Sequence, residues 1–369
     1  MFLKTLKILN FKNLAEAEFS LSEKMNCFTG NNGAGKTNIL DAVYYLSFTK
    51  SFFNTSDSQS IQYNADFFAI HGDFIKNKKK EKIYCAYNSV KKKVFKRNDK
   101  SYSKFSEHIG LFPIVIISPD DSILISGPAE ERRKYIDSVI SQYDKEYLYE
   151  LIKYQKILSQ RNRMLKNFNS SANFDPETIE IYNEQLSISG KKLYEKRKDF
   201  ISKLIPKFRK YYDKISNKKE SVNLRYQSHL NDNDIKELLS QSIEKDKILG
   251  YTTKGIHRDD LTFEINEHSL RKSGSQGQKK SFLIALKFAQ YEFIKEISKI
   301  NPMLLLDDIF DKFDSERVEE IIKLTNNNNF GQIFITDTNP ERVKKVINKD
   351  KSDFKIFHVE KGEVIETDL

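Results

Sequence analysis

Few cysteines and no long apolar run occur in this sequence, and both absences exclude whole classes of protein. Only Cys27 and Cys85 are present in 369 residues, too few for a disulfide framework or a cysteine-rich zinc site. No stretch approaches the roughly 20 uninterrupted apolar residues of a membrane span. The opening MFLKTLKILNFKNL alternates charged and apolar side chains and lacks the apolar region of a signal peptide. We therefore expect a soluble, cytoplasmic protein that needs no membrane.

Positive charge is concentrated in one segment of the chain. The whole sequence has 62 Lys+Arg and 52 Asp+Glu, a net charge of +10. Residues 76–100 alone hold 11 Lys+Arg and 2 Asp+Glu, so this basic segment carries +9 and the remainder is close to neutral. Such a segment is typical of a surface that faces a polyanion, with nucleic acid first and a membrane surface second. A solvated hairpin with lysines at an exposed edge explains it equally well.

The order of apolar patterns predicts an α/β fold with a helical insertion. Short strand patterns dominate the first 125 residues and return after residue 222, and the apolar stretches Met25–Thr29, Met303–Leu306 and Gln332–Thr336 are typical of a buried parallel sheet. Between them, apolar residues recur every three or four positions. We expect one helix over Glu130–Lys166, a loop at Asn167–Pro176 and a second helix over Glu177–Ile205. These two antiparallel helices would form an arm.

A glycine-rich loop supplies the strongest chemical signal. The residues from Gly30 to Thr37, GNNGAGKT, fit G-x-x-x-x-G-K-[ST] between an apolar strand and a helix. Its N–H groups can surround a phosphate, Lys36 can reach the β- and γ-phosphates, and the Thr37 hydroxyl can bind Mg²⁺. The sequence therefore predicts a nucleoside triphosphate site. The residues expected to contact the nucleotide are Gly30, Asn31, Asn32, Gly33, Ala34, Gly35, Lys36 and Thr37.

Two acids complete this site in the sequence. The apolar stretch Met303–Leu306 ends in Asp307 and Asp308, and nucleotides bind at the carboxyl ends of parallel strands. We expect Asp307 to hold Mg²⁺, and Asp308 to orient or deprotonate the attacking water as the catalytic residue. Two acids that merely cap a strand are the alternative, which the glycine-rich loop makes weaker.

A second loop of small residues precedes the last long helix. Ser275, Gly277 and Gln278 stand at a predicted helix N-terminus, which favours an anion. One phosphate site per chain is already supplied, so this loop is expected to face the nucleotide of a partner chain, with Ser275 donating to the γ-phosphate. An ordinary helix N-cap is the alternative.

These motifs, in this order around a helical insertion, resemble an ABC-type ATPase head, and several further stretches resemble the RecF family of bacterial DNA replication and repair proteins. The likeness covers essentially the whole chain. The stretches that carry it include Leu9–Asn13, Ser118–Asp121, Gly127–Arg133, Gln160–Leu165, Thr252–Leu261 and Ser275–Gln278.

The resemblance implies a fold, an activity and partners. It implies an ABC-type P-loop ATPase head with a mixed sheet, formed by residues 1–126 and 250–369, and an inserted helical arm of residues 127–249. It implies a weak ATPase that uses ATP and Mg²⁺, and that dimerises around ATP as a DNA clamp at single-strand gaps or duplex junctions. RecO- and RecR-like partners and help in loading a recombinase are also implied. Within the basic segment, the candidate DNA contacts are Lys78, Lys79, Lys91 and Lys92.

The sequence departs from the family pattern at a few positions. Lys12 stands where these heads often place an arginine near the nucleotide, which keeps the charge but loses bidentate geometry. Ile256 replaces a usual proline, and Asp311–Asp314 replaces a usual Ser-Glu-Leu-Asp while keeping Asp314. Thr336 and Thr338 stand where transporter ATPases have a switch histidine.

Four cationic residues near the predicted arm receive no assigned chemistry. His257 and Arg258 are more typical of structural contacts, and Arg132 and Arg133 fit a phosphate contact or a solvated helix start equally well. Two other functions remain open. An SMC-like chromosome-structuring ATPase would need a far longer coiled coil or a Cys-x-x-Cys hook. A transporter ATPase subunit would keep its motifs in one compact domain.

Overall fold

A computed structural model describes residues 1–90, 92–171, 175–309, 320–321, 323–324, 330–341 and 353–367. In chain order its strands are β1 (Phe2–Phe11), β2 (Leu14–Ser20), β3 (Met25–Thr29), β4 (Phe67–Lys76), β5 (Lys79–Asn88), β6 (Lys92–Arg97), β7 (Lys100–Ser101), β8 (Ile114–Ile117), β9 (Val222–Gln227), β10 (Asp260–Ile265), β11 (His268–Ser269), β12 (Met303–Asp307), β13 (Ile333–Asp337), β14 (Phe354–Glu360) and β15 (Glu363–Thr367). The helices are α1 (Lys36–Phe48), α2 (Ile123–Ser126), α3 (Ala129–Ser141), α4 (Lys145–Ser171), α5 (Pro176–Ser216), α6 (Ile235–Gln241), α7 (Ile243–Leu249), α8 (Leu270–Ser273) and α9 (Gln276–Ser298).

The chain divides into two compact units. The first comprises Met1–Asp121, Lys214–Ser216 and Ile284–Leu369, and the second comprises Ser122–Asp213 and Asn217–Leu283. Residues 250–283, which the sequence assigned to the ATPase head, pack with the helical unit because β10 pairs with β9 along its whole length. The division into an ATPase head and an inserted arm that was inferred from the sequence is a division by function. Its boundaries stay a prediction.

A mixed sheet forms the centre of the first unit, in the order β15-β14-β3-β13-β12-β8. All its pairings are parallel except that of β14 with β15. Every residue of β3, β8, β12 and β13 is buried, as expected of strands covered on both faces. Because β13 lies between β3 and β12, the loops that follow these three strands meet at one edge of the sheet.

A second sheet of the first unit is antiparallel, in the order β2-β1-β4-β5-β6-β7. Its strands alternate between buried and exposed side chains, with Leu6, Phe68, Ile70 and Phe95 among those fully covered. One face is therefore core and the other faces solvent.

The single helix predicted over Glu130–Lys166 is two helices, α3 and α4, so that prediction was wrong. The chain leaves the helical conformation at 142–144, where the carboxylate of Asp144 accepts a hydrogen bond from the Tyr147 N–H at 2.9 Å. An aspartate in this position caps a new helix. The apolar stripe continues across the break, because Ile140 and Tyr147 are both buried. Apolar periodicity alone therefore does not reveal the break.

Helices α4 and α5, the latter as far as Asp213, form the predicted antiparallel hairpin in the second unit. The loop predicted at Asn167–Pro176 was drawn too long, because α4 continues to Ser171 and α5 begins at Pro176. Helix α5 extends beyond the predicted Ile205 and passes through Pro206 to end at Ser216. Among the described helices, none is long and apolar enough to cross a membrane. Side-chain contacts show that the two helices are antiparallel: Asp144, just before α4, contacts Lys196, Glu150 contacts Ser189, and Arg161 contacts Asn183.

Candidate functional site

The glycine-rich loop connects β3 to α1 and has a backbone that only glycine accommodates. Gly30 has a φ of +143°, and a Cβ there would lie 2.1 Å from the Val359 carbonyl oxygen. Gly35, the N-cap of α1, has a φ of +119°, and a Cβ there would meet Asn13 Oδ1 at 2.9 Å. Both positions require glycine. The loop therefore presents backbone N–H groups at a helix N-terminus, which is the geometry of an anion site.

Lys36 is the cation of this loop. Its Nζ donates hydrogen bonds to the carbonyl oxygens of Gly30 at 2.7 Å and Asn31 at 2.8 Å. Burial lowers the pKa of Lys36, while Asp308 and Asp307 act in the opposite direction. The ammonium group is thus desolvated and held over the loop by neutral acceptors. A phosphate oxygen is a stronger acceptor than a carbonyl for such a group.

Asp307, the last residue of β12, is fixed by two hydroxyl groups. Thr37 Oγ1 donates to its Oδ1 at 2.9 Å, and Thr336 Oγ1 donates to the same oxygen at 2.7 Å. Burial raises the pKa of Asp307, although both hydroxyls act against that shift. The hydroxyl and the carboxylate provide adjacent oxygen ligands of the kind that Mg²⁺ takes alongside several waters. The residues at this point fit the cation expected from the sequence.

Asp308 follows with an unusual backbone. Its φ is +47°, and its N–H donates to Thr336 Oγ1 at 3.0 Å. The hydroxyl of Thr336 therefore contacts both acids, donating to one side chain and accepting from the next backbone N–H. A strained conformation of this kind persists only where neighbours hold it in place.

These groups line one cavity of about 260 Å³. Its wall combines N–H groups, one ammonium group, two carboxylates and three hydroxyls, so its chemistry suits a phosphate with a cation. The lining residues are Asn32, Gly33, Gly35, Lys36, Thr37, Asn38, Asp307, Asp308, Thr336 and Thr338.

Two residues outside the loop, Asn13 and Gly362, support it through contacts that escaped the sequence reasoning. Asn13 Nδ2 donates to the Gly33 carbonyl at 3.0 Å, and its Oδ1 accepts from Asn38 Nδ2 at 2.7 Å. The N–H of Gly362, in the turn between β14 and β15, donates to the Ala34 carbonyl at 3.0 Å. Of these two residues, only Asn13 could have been singled out in the sequence, because it ends the stretch Leu9–Asn13 on which the family resemblance partly rests.

Lys12 forms a different contact from the one that the resemblance implied. Its Nζ lies 2.7 Å from the fully buried Asp41 Oδ2 and 5.1 Å from the ring centroid of Phe53. It is not among the residues that line the cavity. A contact between Lys12 and the nucleotide stays a prediction, and the observed role of this side chain is to neutralise Asp41.

The Ser275 loop belongs to the second unit and caps α9. Ser275 Oγ accepts from the Gln278 N–H at 3.2 Å, while the Ser275 N–H donates to Gln278 Oε1 at 2.7 Å. This reciprocal pair is a capping box. Ser275 is exposed and Gly277 is half-buried. A hydroxyl that accepts one hydrogen bond still has a proton to donate, so the cap and the predicted phosphate contact are compatible.

The three candidate DNA contacts within the described residues do not form one patch. Lys78 and Lys79 lie at the turn between β4 and β5, and Lys92 lies opposite Asn88 at the other end of β5. Ten residues of strand separate these ends by roughly 30 Å. All three are exposed, whereas Lys91 lies outside the described residues, as does Asp314.

The cationic residues near the helical arm make structural contacts. Arg132 is buried and donates to Asp260 at 2.6 Å, and Arg133 donates to the Asp259 carbonyl. The ring nitrogens of His257 lie against the Tyr154 hydroxyl and a backbone oxygen, and burial lowers its pKa to about 4. A neutral, fully bonded histidine is a packing residue, as the sequence reading favoured.

The parallel sheet, the glycine-rich loop at the end of β3 and the paired acids at the end of β12 define a P-loop ATPase of the ABC type. The family described as "RecF/RecN/SMC N terminal domain" matches residues 2–364. The chain belongs to the RecF family. The DNA replication and repair protein RecF of Flavobacterium johnsoniae is 50% identical over 97% of this chain and 100% of its own length. That of Bacteroides thetaiotaomicron is 49% identical over 99% of both.

Solved structures confirm the fold class predicted from the sequence. The recombination mediator protein RecF with ATP, of the RecFOR pathway, superposes with a TM-score of 0.89 at 30% identity, covering 100% of this chain and 98% of that one. An Smc head domain with an extended coiled coil from Pyrococcus furiosus gives a TM-score of 0.59 at 17% identity over 99% of this chain and 96% of that chain, which shows a shared fold alone.

Proposed function

We propose that this protein is an ATP-dependent DNA-binding ATPase of DNA replication and recombinational repair. The observation that carries the proposal is the cavity at the ends of β3, β12 and β13, because it joins the phosphate loop, the two acids and Thr336 in one chain of RecF type. Relatives at about half identity over their full length are named for replication and repair. In solved relatives the bound nucleotide is ATP.

Different residues of the cavity have different roles in the proposed ATP hydrolysis. The loop N–H groups and Lys36 hold the phosphates, and Lys36 exchanges its two carbonyl acceptors for phosphate oxygens. Thr37 and Asp307 would hold Mg²⁺, which would supply positive charge against the phosphates when bound. The carboxylate of Asp308 orients the attacking water and accepts its proton. We expect slow turnover.

Two chains would close around two nucleotides. Ser275, which is exposed, and the half-buried Gly277 and Gln278 form a helix N-terminus in the second unit, whereas Lys36 belongs to the first. In the proposed homodimer, ATP joins the Lys36 loop of one protomer to the Ser275 loop of its partner, and the closed dimer retains DNA at gaps or junctions. Hydrolysis removes the γ-phosphate contacts, so the dimer opens and releases the DNA.

The pathway assignment also rests on relatives. The RecFOR pathway named for the solved proteins supports RecO- and RecR-like partners and a role in loading a recombinase. The cytoplasm is the expected location. An SMC-like chromosome-structuring role has less support, because the Smc heads share only the fold, and a transporter subunit has no support among these relatives.

A comparison of nucleotide states tests this function. We expect DNA retention on gapped and duplex substrates with ATP, and release with ADP or without nucleotide, because only the γ-phosphate can join both loops. Gel shifts on gapped, duplex and single-stranded DNA measure it. Equal retention in all three nucleotide states would contradict the clamp.

Salt dependence tests the basic segment separately. Neutralising Lys78, Lys79, Lys91 and Lys92 to glutamine should flatten the slope of log K against log salt for duplex DNA, by about 0.9 for each phosphate that a lysine no longer neutralises. Because the structure places Lys78 and Lys79 far from Lys92, variants of each pair reveal which end of β5 is used. Lys236→Gln with Lys245→Gln, on α6 and α7, is the control. An unaltered slope in both pairs would show that these lysines are only solvated.

A further inference from the structure

The outer, solvent-facing side of the antiparallel sheet in the first unit has more apolar surface than is usual for such a face. Leu9, Phe67, Tyr84 and Val94 point away from the core, and each is 36–38% exposed. The solvent face of an antiparallel sheet is normally polar. Single exposed apolar residues are common, so the arrangement of these four decides whether they matter.

Strand register brings them into one platform. Leu9, Ala69, Ala86 and Val94 are direct neighbours on four successive strands, β1, β4, β5 and β6. Directly opposite residues of paired strands share a face. The two alanines make a low floor at the centre of this row.

Aromatic side chains border that floor on both sides. Phe67 precedes Ala69 by two residues on β4, and Tyr84 precedes Ala86 by two residues on β5, where it lies opposite His71. Since β4 and β5 are antiparallel, Phe67 and Tyr84 stand on opposite sides of the alanine row. Their rows are four residues apart, roughly 13 Å along the strands. That is the length of about four nucleotides at duplex spacing of ~3.4 Å, and of fewer in an extended strand.

Lysines surround the aromatic rings. Lys96 lies opposite Tyr84 with its Nζ 6.0 Å from the ring centroid, Lys92 extends the row of Phe67, and the exposed Lys82 lies two residues before Tyr84 on β5. Within the described residues, no carboxylate pairs with these three lysines. Three other cations of the basic segment are already neutralised, since Lys80, Lys93 and Arg97 pair with Asp73, Asp57 and Glu81.

We propose that this outer face binds single-stranded DNA, with unpaired bases stacked on Phe67 and Tyr84 and phosphates held by Lys82, Lys92 and Lys96. Aromatic side chains interleaved with cations suit a single strand, whose bases expose their faces. A duplex hides those faces in its own stack, and an apolar protein segment would gain nothing from three lysines that pair with no carboxylate in the described part of the chain. This inference rests on the proposed DNA-binding function and adds the surface, and the residues on it, that would contact an unpaired strand.

The test replaces the two rings without disturbing the core. The double variant Phe67→Ala with Tyr84→Ala should weaken binding of a short oligothymidine roughly 30-fold or more, because two stacking contacts are lost, while duplex retention with ATP stays unchanged. Tyr84→Phe keeps the ring and should bind like the unaltered protein. Tyr63→Ala is the matched control, because Tyr63 is an aromatic residue 89% exposed in the loop before β4. Fluorescence anisotropy measures the binding of both DNA types.

The other possible results of these experiments contradict either the single-strand site or the proposed function. Unchanged oligothymidine binding in the double variant overturns the platform, as does an equal loss for duplex and single strand. If the double variant instead loses only a partner protein, the face is a protein interface and the inference is wrong. If the unaltered protein retains no duplex with ATP, the proposed function fails; if it retains duplex but binds no oligothymidine, only this inference fails. Photocrosslinking of iodouracil DNA should label Tyr84.

Discussion

Replacing Lys36 by alanine should abolish ATP binding and, with it, ATP-dependent retention of DNA. In the free protein Lys36 donates two hydrogen bonds to the loop, and its lowered pKa reflects a desolvated position beside two carboxylates. Charge-assisted hydrogen bonds contribute about 1.5–3 kcal/mol each, so losing two should weaken ATP binding by a factor of roughly 100 or more. Without the ammonium group, Asp307 and Asp308 would also repel the phosphates. Calorimetric titration with ATP measures the affinity.

A matched control is available at the opposite end of the strand that precedes the loop. Lys24→Ala removes the same charge from an exposed lysine just before β3 and should leave ATP affinity and DNA retention unchanged. DNA retention in the Lys36→Ala protein at the normal level would contradict the nucleotide-gated clamp, even if ATP binding were lost.

Replacing Asp308 by asparagine should separate binding from hydrolysis. Asparagine has nearly the shape of aspartate and is one of the few residues that adopt a positive φ readily, so the backbone contact with Thr336 should survive. The amide cannot accept a proton from water, and hydrolysis should fall roughly 10²- to 10⁴-fold. ATP should still bind, and dimers should accumulate. Phosphate release gives the rate, and light scattering gives the mass.

The control for this variant is Asp232→Asn, which neutralises an exposed carboxylate in a turn of the second unit. It should hydrolyse ATP at the normal rate and form no trapped dimer. A normal rate of hydrolysis in Asp308→Asn would show that another group activates the water. Slow hydrolysis without dimers would support the catalytic role of Asp308 but contradict the expected accumulation of ATP-bound dimers.

The predictable parts of the site are those encoded by consecutive residues. The loop from Gly30 to Thr37 was predictable because its glycines, lysine and threonine act together over eight positions. Asp307 and Asp308 were predictable because an apolar strand delivers them to a sheet edge. Thr336 was noted only as a replacement for a histidine; its hydrogen bond to Asp307 depends on the parallel pairing of β12 with β13.

The parts that could not be predicted depend on partners far apart in the chain. The number of lysines in the basic segment can be read from the sequence. Only the register of β4, β5 and β6 shows which of them are paired with acids and which surround Tyr84. Likewise, the support of the loop by Gly362 needs β14 and β15, which carried no recognised pattern. The break between α3 and α4 escaped because Asp144 restarts a helix without interrupting the apolar stripe.

The contact between Gly362 and the phosphate loop has a consequence for synthesis on the ribosome. Strand β3 pairs with β13 on one side and with β14 on the other, so both neighbours of the strand that carries the loop are translated about 300 residues later. Contacts of such long sequence separation form late and slowly. A nascent chain should therefore have no competent nucleotide pocket until translation is nearly complete, and ribosome-bound chains that stop before residue 354 should fail to bind ATP.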